Sequence, residues 1–228
     1  MKKRFFALVL SFILLFCVFS YSSNLTFDVT LNGATKYLWR GQKLYNEFCL
    51  QPNLNIYVGN FTINYWATFP LDKGEYIESD FTLIASERMP YLDIVKLNAG
   101  FIIYTFPNNF AGFKNTLEIF GIISLDTILS PYLKLNYDSV LGNGYYLESG
   151  ISYSIPISLI NLNLYATAGY NFNQWGYTKS FSVLLLTPEI TYSLGGFTAI
   201  VSTNVQVALD SQYENDYIVN FGIKYSFN

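Results

Sequence analysis

The chain contains no histidine. That removes the side chain that most often serves as general base near neutral pH and as a metal ligand. It has only two cysteines, Cys17 and Cys49. Charged residues make up 13% of the sequence, where ordinary globular domains carry about 25%. The basic residues form no cluster beyond the first four positions, so a nucleic-acid-binding face is excluded. Past residue 19 no apolar run approaches the roughly 20 residues that a spanning helix needs. Aromatic residues, in contrast, are abundant: 20 Tyr and 20 Phe bring the aromatic share to 19%.

The front end has three parts. Met1-Lys2-Lys3-Arg4 is basic, Phe5 to Phe19 is almost wholly apolar, and Ser20-Tyr21-Ser22-Ser23 supplies small residues at alternate positions. That is the layout of a cleaved secretory signal peptide over residues 1–23. The apolar run, about 15 residues, is shorter than a membrane-spanning helix requires. Leu14-Leu15-Phe16-Cys17 is a poor lipoprotein box, because Phe16 is bulky where a small residue is needed. Cleavage leaves residues 24–228 as one domain, with 10 Lys+Arg against 16 Asp+Glu, a formal charge of −6. Cys17 departs with the signal, and Cys49, left alone, has no partner for an intrachain disulfide. An exported, aromatic chain without membrane helices fits a closed β-barrel in a bacterial outer membrane.

Periodicity points the same way. In Phe48 to Val58, Phe48, Leu50, Pro52, Leu54, Ile56 and Val58 share one face, and Cys49, Gln51, Asn53, Asn55 and Tyr57 the other. Gly59-Asn60 then makes a two-residue hairpin turn, and Phe61, Ile63, Tyr65, Ala67 and Phe69 resume the apolar face. Twelve such segments are expected, near 24–35, 48–58, 61–71, 75–86, 93–106, 115–125, 131–138, 145–156, 161–172, 181–194, 196–209 and 216–227. Short turns alternate with longer polar loops, as in outer-membrane barrels with short periplasmic turns and longer outside loops. The expected fold is all-β: a transmembrane, antiparallel, up-and-down barrel of about twelve strands. A soluble β-sandwich would also alternate, but its polar face would carry many charges. Here that face is mostly Asn, Thr, Ser, Gly and Tyr.

The same alternation assigns charges to the lumen: Asp28, Glu78, Asp80, Glu118, Glu148 and Glu189, with Lys96, Lys134 and Lys224. An acidic excess favours cations weakly; equally, the charges pair across the lumen as a structural network. Tyr57, Trp66, Tyr76, Tyr104, Tyr132, Tyr146 and Tyr165 are expected to point inward and fill or narrow the bore. Twelve strands lie between the eight that side chains fill and the sixteen that leave a water channel. Glu78 and Asp80, two apart on one face, suit calcium or a salt-bridge cluster as readily as catalysis. Cys49 falls on the lumen face without a histidine to activate it.

The last strand, Tyr217 to Phe227, presents Tyr217, Val219, Phe221, Ile223, Tyr225 and Phe227 on one face. It is expected to close the barrel against the first strand. Gly222, Tyr225 and Phe227 resemble the terminal signal by which the outer-membrane assembly machinery recognises its clients. Asn228 after the aromatic is a small departure from that pattern.

Thr35-Lys36-Tyr37-Leu38-Trp39-Arg40-Gly41-Gln42, then Leu50-Gln51-Pro52, Gly59-Asn60-Phe61 and Tyr65-Trp66-Ala67, carry a more specific likeness. This stretch, about residues 24–70, resembles the TorF-type porin family of outer-membrane proteins. Its N-terminal part has a Tyr-x-aromatic-Arg-Gly motif, a Gln-Pro or Gln-Gly step and a hairpin ending near a Trp. The resemblance implies an outer-membrane barrel of the channel type. Within the loop-one motif Tyr37, Trp39, Arg40 and Gly41, the guanidinium of Arg40 suits a latch onto lumen acids, lipopolysaccharide phosphates or a solute anion. Gly41 permits the bend. The functions left are a small channel for passive diffusion of ions or polar solutes, weakly cation-preferring, or a non-conducting barrel that anchors or scaffolds. Either has lipid, lipopolysaccharide and the assembly machinery as partners. A barrel enzyme is disfavoured by the missing histidine, and no cofactor is expected.

Overall fold

A computed structural model gives the arrangement of residues 25–107, 112 and 114–227. The expected signal peptide and Asn228 lie outside these. The strands in chain order are β1 (Leu25–Ala34), β2 (Tyr37–Trp39), β3 (Gln42–Tyr45), β4 (Cys49–Val58), β5 (Phe61–Pro70), β6 (Glu78–Met89) and β7 (Leu92–Thr105). They continue as β8 (Thr116–Leu125), β9 (Tyr132–Asp138), β10 (Gly144–Ile157), β11 (Ile160–Phe172), β12 (Ser180–Leu194), β13 (Phe197–Ala208) and β14 (Asp216–Phe227). All but β2 and β3 form one closed antiparallel barrel of twelve strands in sequence order. The ring closes where Phe27–Ala34 of β1 pair with Phe227–Asn220 of β14. Closure leaves no unpaired sheet edge within the bilayer.

Each of the twelve alternating segments is a strand. The largest displacement is at β6, which begins at Glu78 rather than near residue 75. A turn between β5 and β6, with Gly74 N–H donating to Pro70 O, takes up the intervening residues. The inward alternation therefore does not reach back to Tyr76. That ring, expected inside, is exposed and meets outward-facing Phe69 edge-on at 5.3 Å. Pairing is interrupted at Pro52 only on the β5 side of β4 and at Pro188 only on the β13 side of β12; on their other flanks they pair with Leu31 and Leu164. A register shift between β11 and β12 turns both Ser182 and Val183 inward.

Outward side chains are apolar and uncovered. Leu31, Ile190 and Phe221, all mid-strand, are 51–53% exposed. An apolar belt running round the whole barrel is far larger than the patches soluble proteins tolerate and is what lipid covers. Exposed aromatics mark both rims: Tyr145, Phe181 and Tyr217 at the end bearing the longer loops, and Tyr192, Phe197 and Phe227 at the end bearing the short turns. They suit the two interfacial girdles. The barrel is thus a transmembrane one. Phe227 also stacks on Phe27 at 4.3 Å, sealing the closing seam.

Candidate functional site

Loop one, between β1 and β4, folds into the barrel. Its hairpin β2–β3 turns at Arg40 and Gly41, with Trp39 facing Gln42. Both turn residues have positive φ, 48° and 87°, as a type I′ turn requires. Asn or Asp normally takes the first of these positions. An arginine held there costs about 1–2 kcal/mol, which points to a use for its side chain. At Gly41 a Cβ would lie 2.7 Å from the Tyr213 ring and 2.9 Å from Val183, so a close approach adds to the demand for glycine.

The turn reaches the far wall. In the ring of strands β9 stands opposite β1, and Arg40 lands on both sides of β9. Its Nη1 and Nη2 donate to Glu118 Oε2 and Oε1 of β8, each at 2.7 Å. Nη1 also donates to Gln174 Oε1 at 2.7 Å, and Gln174 Nε2 donates to Glu118 Oε2 at 3.0 Å. Tyr104 Oη donates to Glu118 Oε1 at 3.2 Å. The guanidinium lies over Tyr146 of β10 at 4.7 Å and against Trp39 at 4.5 Å. Burial works to lower the Arg40 pKa, and the adjacent Glu118 carboxylate outweighs it, so the group is held above its ordinary value. Such a planar fork is a geometry that lysine does not reproduce.

The arms of the hairpin are tied as well. Lys36 Nζ sits 2.6 Å from Asp216, Lys43 Nζ is 3.2 Å from Asp216, and Tyr45 Oη donates to Asp72 at 2.6 Å. Tyr37 is buried with Cys49 and Ile77, and Trp39, Leu44 and Trp66 pack against them. Burial, then the charges of Glu78 and Asp80, push the Tyr37 hydroxyl well up and keep it protonated. Trp39 meets Tyr104 and Trp175 edge-on at 5.8 and 5.7 Å. These rings fill one side of the bore.

The bore is not filled throughout. A central cavity of about 470 Å³ is lined by Asn53, Asn64, Trp66, Asp80, Lys134 and Glu148, among others. A chamber of about 220 Å³ toward the loops shares Leu38, Gly41 and Gln206 with it. A third, of about 520 Å³, opens at the turn end beside Tyr57, Thr62, Arg88 and Lys96. The hairpin therefore narrows the lumen near its loop end, where Glu118 and Tyr146 are each two residues inside their strands.

The lumen charges named from sequence separate into groups. Only Glu118 is gathered with the loop-one motif through Arg40. Glu148 accepts from Tyr132 Oη at 2.7 Å and lines the central cavity. Asp28 accepts from Asn55 Nδ2 at 2.9 Å and Tyr57 Oη at 3.0 Å. Glu189 accepts from Asn163 Nδ2 at 3.0 Å. Lys134 lies over Phe120 at 4.7 Å. Lys96 faces the turn-end chamber. Lys224 stands between Thr30 and Thr198 on the neighbouring strands. Glu78 is almost wholly buried, and Asp80 is partly so. At the last strand, Gly222 leaves room for Asn32, whose Oδ1 would clash with an added Cβ. Tyr225 and Phe227 face outward, packed edge-on at 4.5 Å.

Some site residues gave less signal in the sequence. Asp138, fully buried and accepting from Thr116 Oγ1 at 2.8 Å and from Val140 N–H, shares the inward parity of Lys134. Asp216 shares that of Lys224. Gln174 had no such signal. It sits in a one-turn segment flanked by Asn173 and Trp175, both at positive φ, and is held by Asn171.

No family model matches the chain, and no curated protein matches it either. Solved structures do. The KdgM porin, also solved in complex with disordered oligogalacturonate, superposes with a TM-score of 0.55 at 12% identity, covering 89% of this chain and 99% of its own. The COG4313 outer membrane channel from Pseudomonas putida F1 gives 0.50 at 9% identity, covering 91% and 97%. The chain therefore shares its fold with barrels of the porin and outer-membrane channel type.

Proposed function

We propose that this protein is an outer-membrane channel for passive diffusion of ions and small polar solutes, narrowed by its own first loop. The observation that carries the reading is the position of β2–β3: a hairpin crosses a closed twelve-strand barrel yet leaves a central cavity beneath it and a chamber between it and the outer loops. Structural neighbours that are porins and channels support it. So does the resemblance of residues 24–70 to TorF-type porins, whose motif here supplies the turn that reaches the far wall. The signal peptide read from residues 1–23 and the terminal pattern Gly222, Tyr225 and Phe227 fit export and handling by the assembly machinery. Lipid surrounds the belt and lipopolysaccharide the loop-end rim.

A weak cation preference follows from the charges. Arg40, Lys36 and Lys43 each pair with an acid. Asp28, Glu78, Asp80, Glu148 and Glu189 have no ion-pair partner among the described residues, against Lys96, Lys134 and Lys224 on the basic side. Arg40 acts as a latch rather than as a contact for lipopolysaccharide or solute, because Glu118 and Gln174 already take both Nη1 hydrogens and one on Nη2, and the group is buried.

A second reading, a plugged structural barrel, draws on the packed rings Trp39, Tyr104 and Trp175. Planar-bilayer recording of the refolded chain under a salt gradient separates the two. The channel gives steady steps and a cation-biased reversal potential that Glu189→Gln reduces. Silence from folded protein would leave the plugged barrel.

A further inference from the structure

The central cavity has a wall whose amides are oriented by a carboxylate. Ionised Asp28 only accepts, so Asn55 turns its Nδ2 toward it, at 2.9 Å. Asn55 Oδ1 is then left to accept, and Asn64 Nδ2 donates to it at 2.8 Å. Asn64 Nδ2 also donates to Asn53 Oδ1. This chain of bonds decides which atoms are left over. Asn64 Oδ1, an acceptor, and Asn53 Nδ2, a donor, have no bond among the described residues. Both side chains line the cavity of about 470 Å³. Asn204 of β13 lines it too, and accepts from Thr187 Oγ1 at 3.0 Å, which leaves its Nδ2 free.

Trp66 lines the same cavity. It stands directly across from Asn53 on β4 and from Asp80 on β6. Tyr37 packs against the ring, tilted, at 5.4 Å, and the indole is half-buried rather than enclosed. An aromatic surface flanked by free amide donors and acceptors and a carboxylate suits a sugar. The C–H face of the pyranose lies on the indole, and each hydroxyl can both donate and accept. A hydroxyl that donates to a carboxylate makes a stronger, charge-assisted bond. The cavity falls within the roughly 300–1,000 Å³ of small-molecule sites. Its charge disfavours an acidic solute: Asp80 and Glu148 outnumber Lys134 among the lining groups that form no ion pair.

We infer that the central cavity is a binding site for a neutral mono- or disaccharide, with one ring on Trp66 and hydroxyls on Asn53, Asn64 and Asp80. The inference rests on the channel reading and names the class of solute that the lumen selects. The hairpin supplies the roof of the site through Trp39 and Gly41.

The test is saturation-transfer NMR on the refolded full barrel in detergent, with glucose, maltose, glucuronate and serine as separate probes. Glucose and maltose should receive saturation, strongest on the ring protons, and glucuronate and serine should receive several-fold less. Trp66→Ala should abolish the transfer. Asn53→Leu and Asn204→Leu, close in shape and distant from the Tyr37 cluster, should each weaken it several-fold, which guards against misfolding of the Trp66 variant. Asn163→Leu, whose amide donates to Glu189 outside this cavity, should leave it unchanged. No transfer to either neutral sugar, transfer to glucuronate or serine as strong as to glucose, or equal transfer in all variants overturns the site. Binding is read without any current. Sugar binding by a barrel that does not conduct would overturn the channel and keep the site, and steady current without sugar binding would do the reverse.

Discussion

Two arginines of this barrel each hold a carboxylate at 2.7 Å, one at each end of the bore. Arg40 and Glu118, beneath the loops, have side chains 8% and 0% exposed. Arg88 and Asp126, among the short turns, are 54% and 60% exposed. Equal distances conceal unequal consequences. Water and salt screen the outer pair, which contributes at most about 1 kcal/mol. The inner pair has been stripped of water, and losing one member strands a buried charge. A fork of this kind adds little net stability but fixes one arrangement, and here it fixes where the hairpin ends. The constriction therefore lies at the loop end, and the turn end is an open vestibule of about 520 Å³.

Four substitutions sharpen or break that contrast. Arg40→Ala should have the largest effect. Removing it costs about 3–5 kcal/mol, frees the hairpin and raises single-channel conductance several-fold. Trp39→Ala comes next. It deletes the edge-on contacts with Tyr104 and Trp175 and should enlarge the bore, read as faster uptake of larger polar solutes into liposomes. Gly41→Ala should cost about 1–3 kcal/mol from its positive φ and from the clash with Tyr213 and Val183. Limited proteolysis within loop one should report it. Arg88→Gln should change urea unfolding by no more than about 1 kcal/mol and leave conductance alone. If Arg88→Gln opened the channel as far as Arg40→Ala, the two ends would not differ in the way described.

The barrel itself was open to reading from sequence because its determinant is local. Alternation in β11 or β13 needs only neighbours along the chain, and lipid on one side with water on the other enforces it at every strand. The closing strand β14 could be identified for the same reason. Tyr76 shows where that logic stops: parity is meaningful only inside a strand, and the turn before Glu78 cancels it. The site needed long-range information. Arg40 was a marked residue in a marked motif, and a latch onto lumen acids was the favoured partner there, but nothing local said which acid. Glu118, 78 residues away, becomes its partner only once β8 stands across the bore from β1. Gln174 lies in a loop whose conformation depends on Asn171, Arg40 and Glu118 together, so nothing in its own neighbourhood announced it. The hairpin β2–β3 gave a turn signal in Arg40-Gly41, but its inward fold depends on the space the barrel encloses.

The most direct measurement is single-channel conductance of the natural chain beside a variant in which residues 37–45 are replaced by a short Gly-Ser linker, both verified as folded. The account predicts small, steady steps for the natural chain and steps several-fold larger for the variant. Equal steps would show that the hairpin is not the constriction, and silence from both would show that this barrel does not conduct.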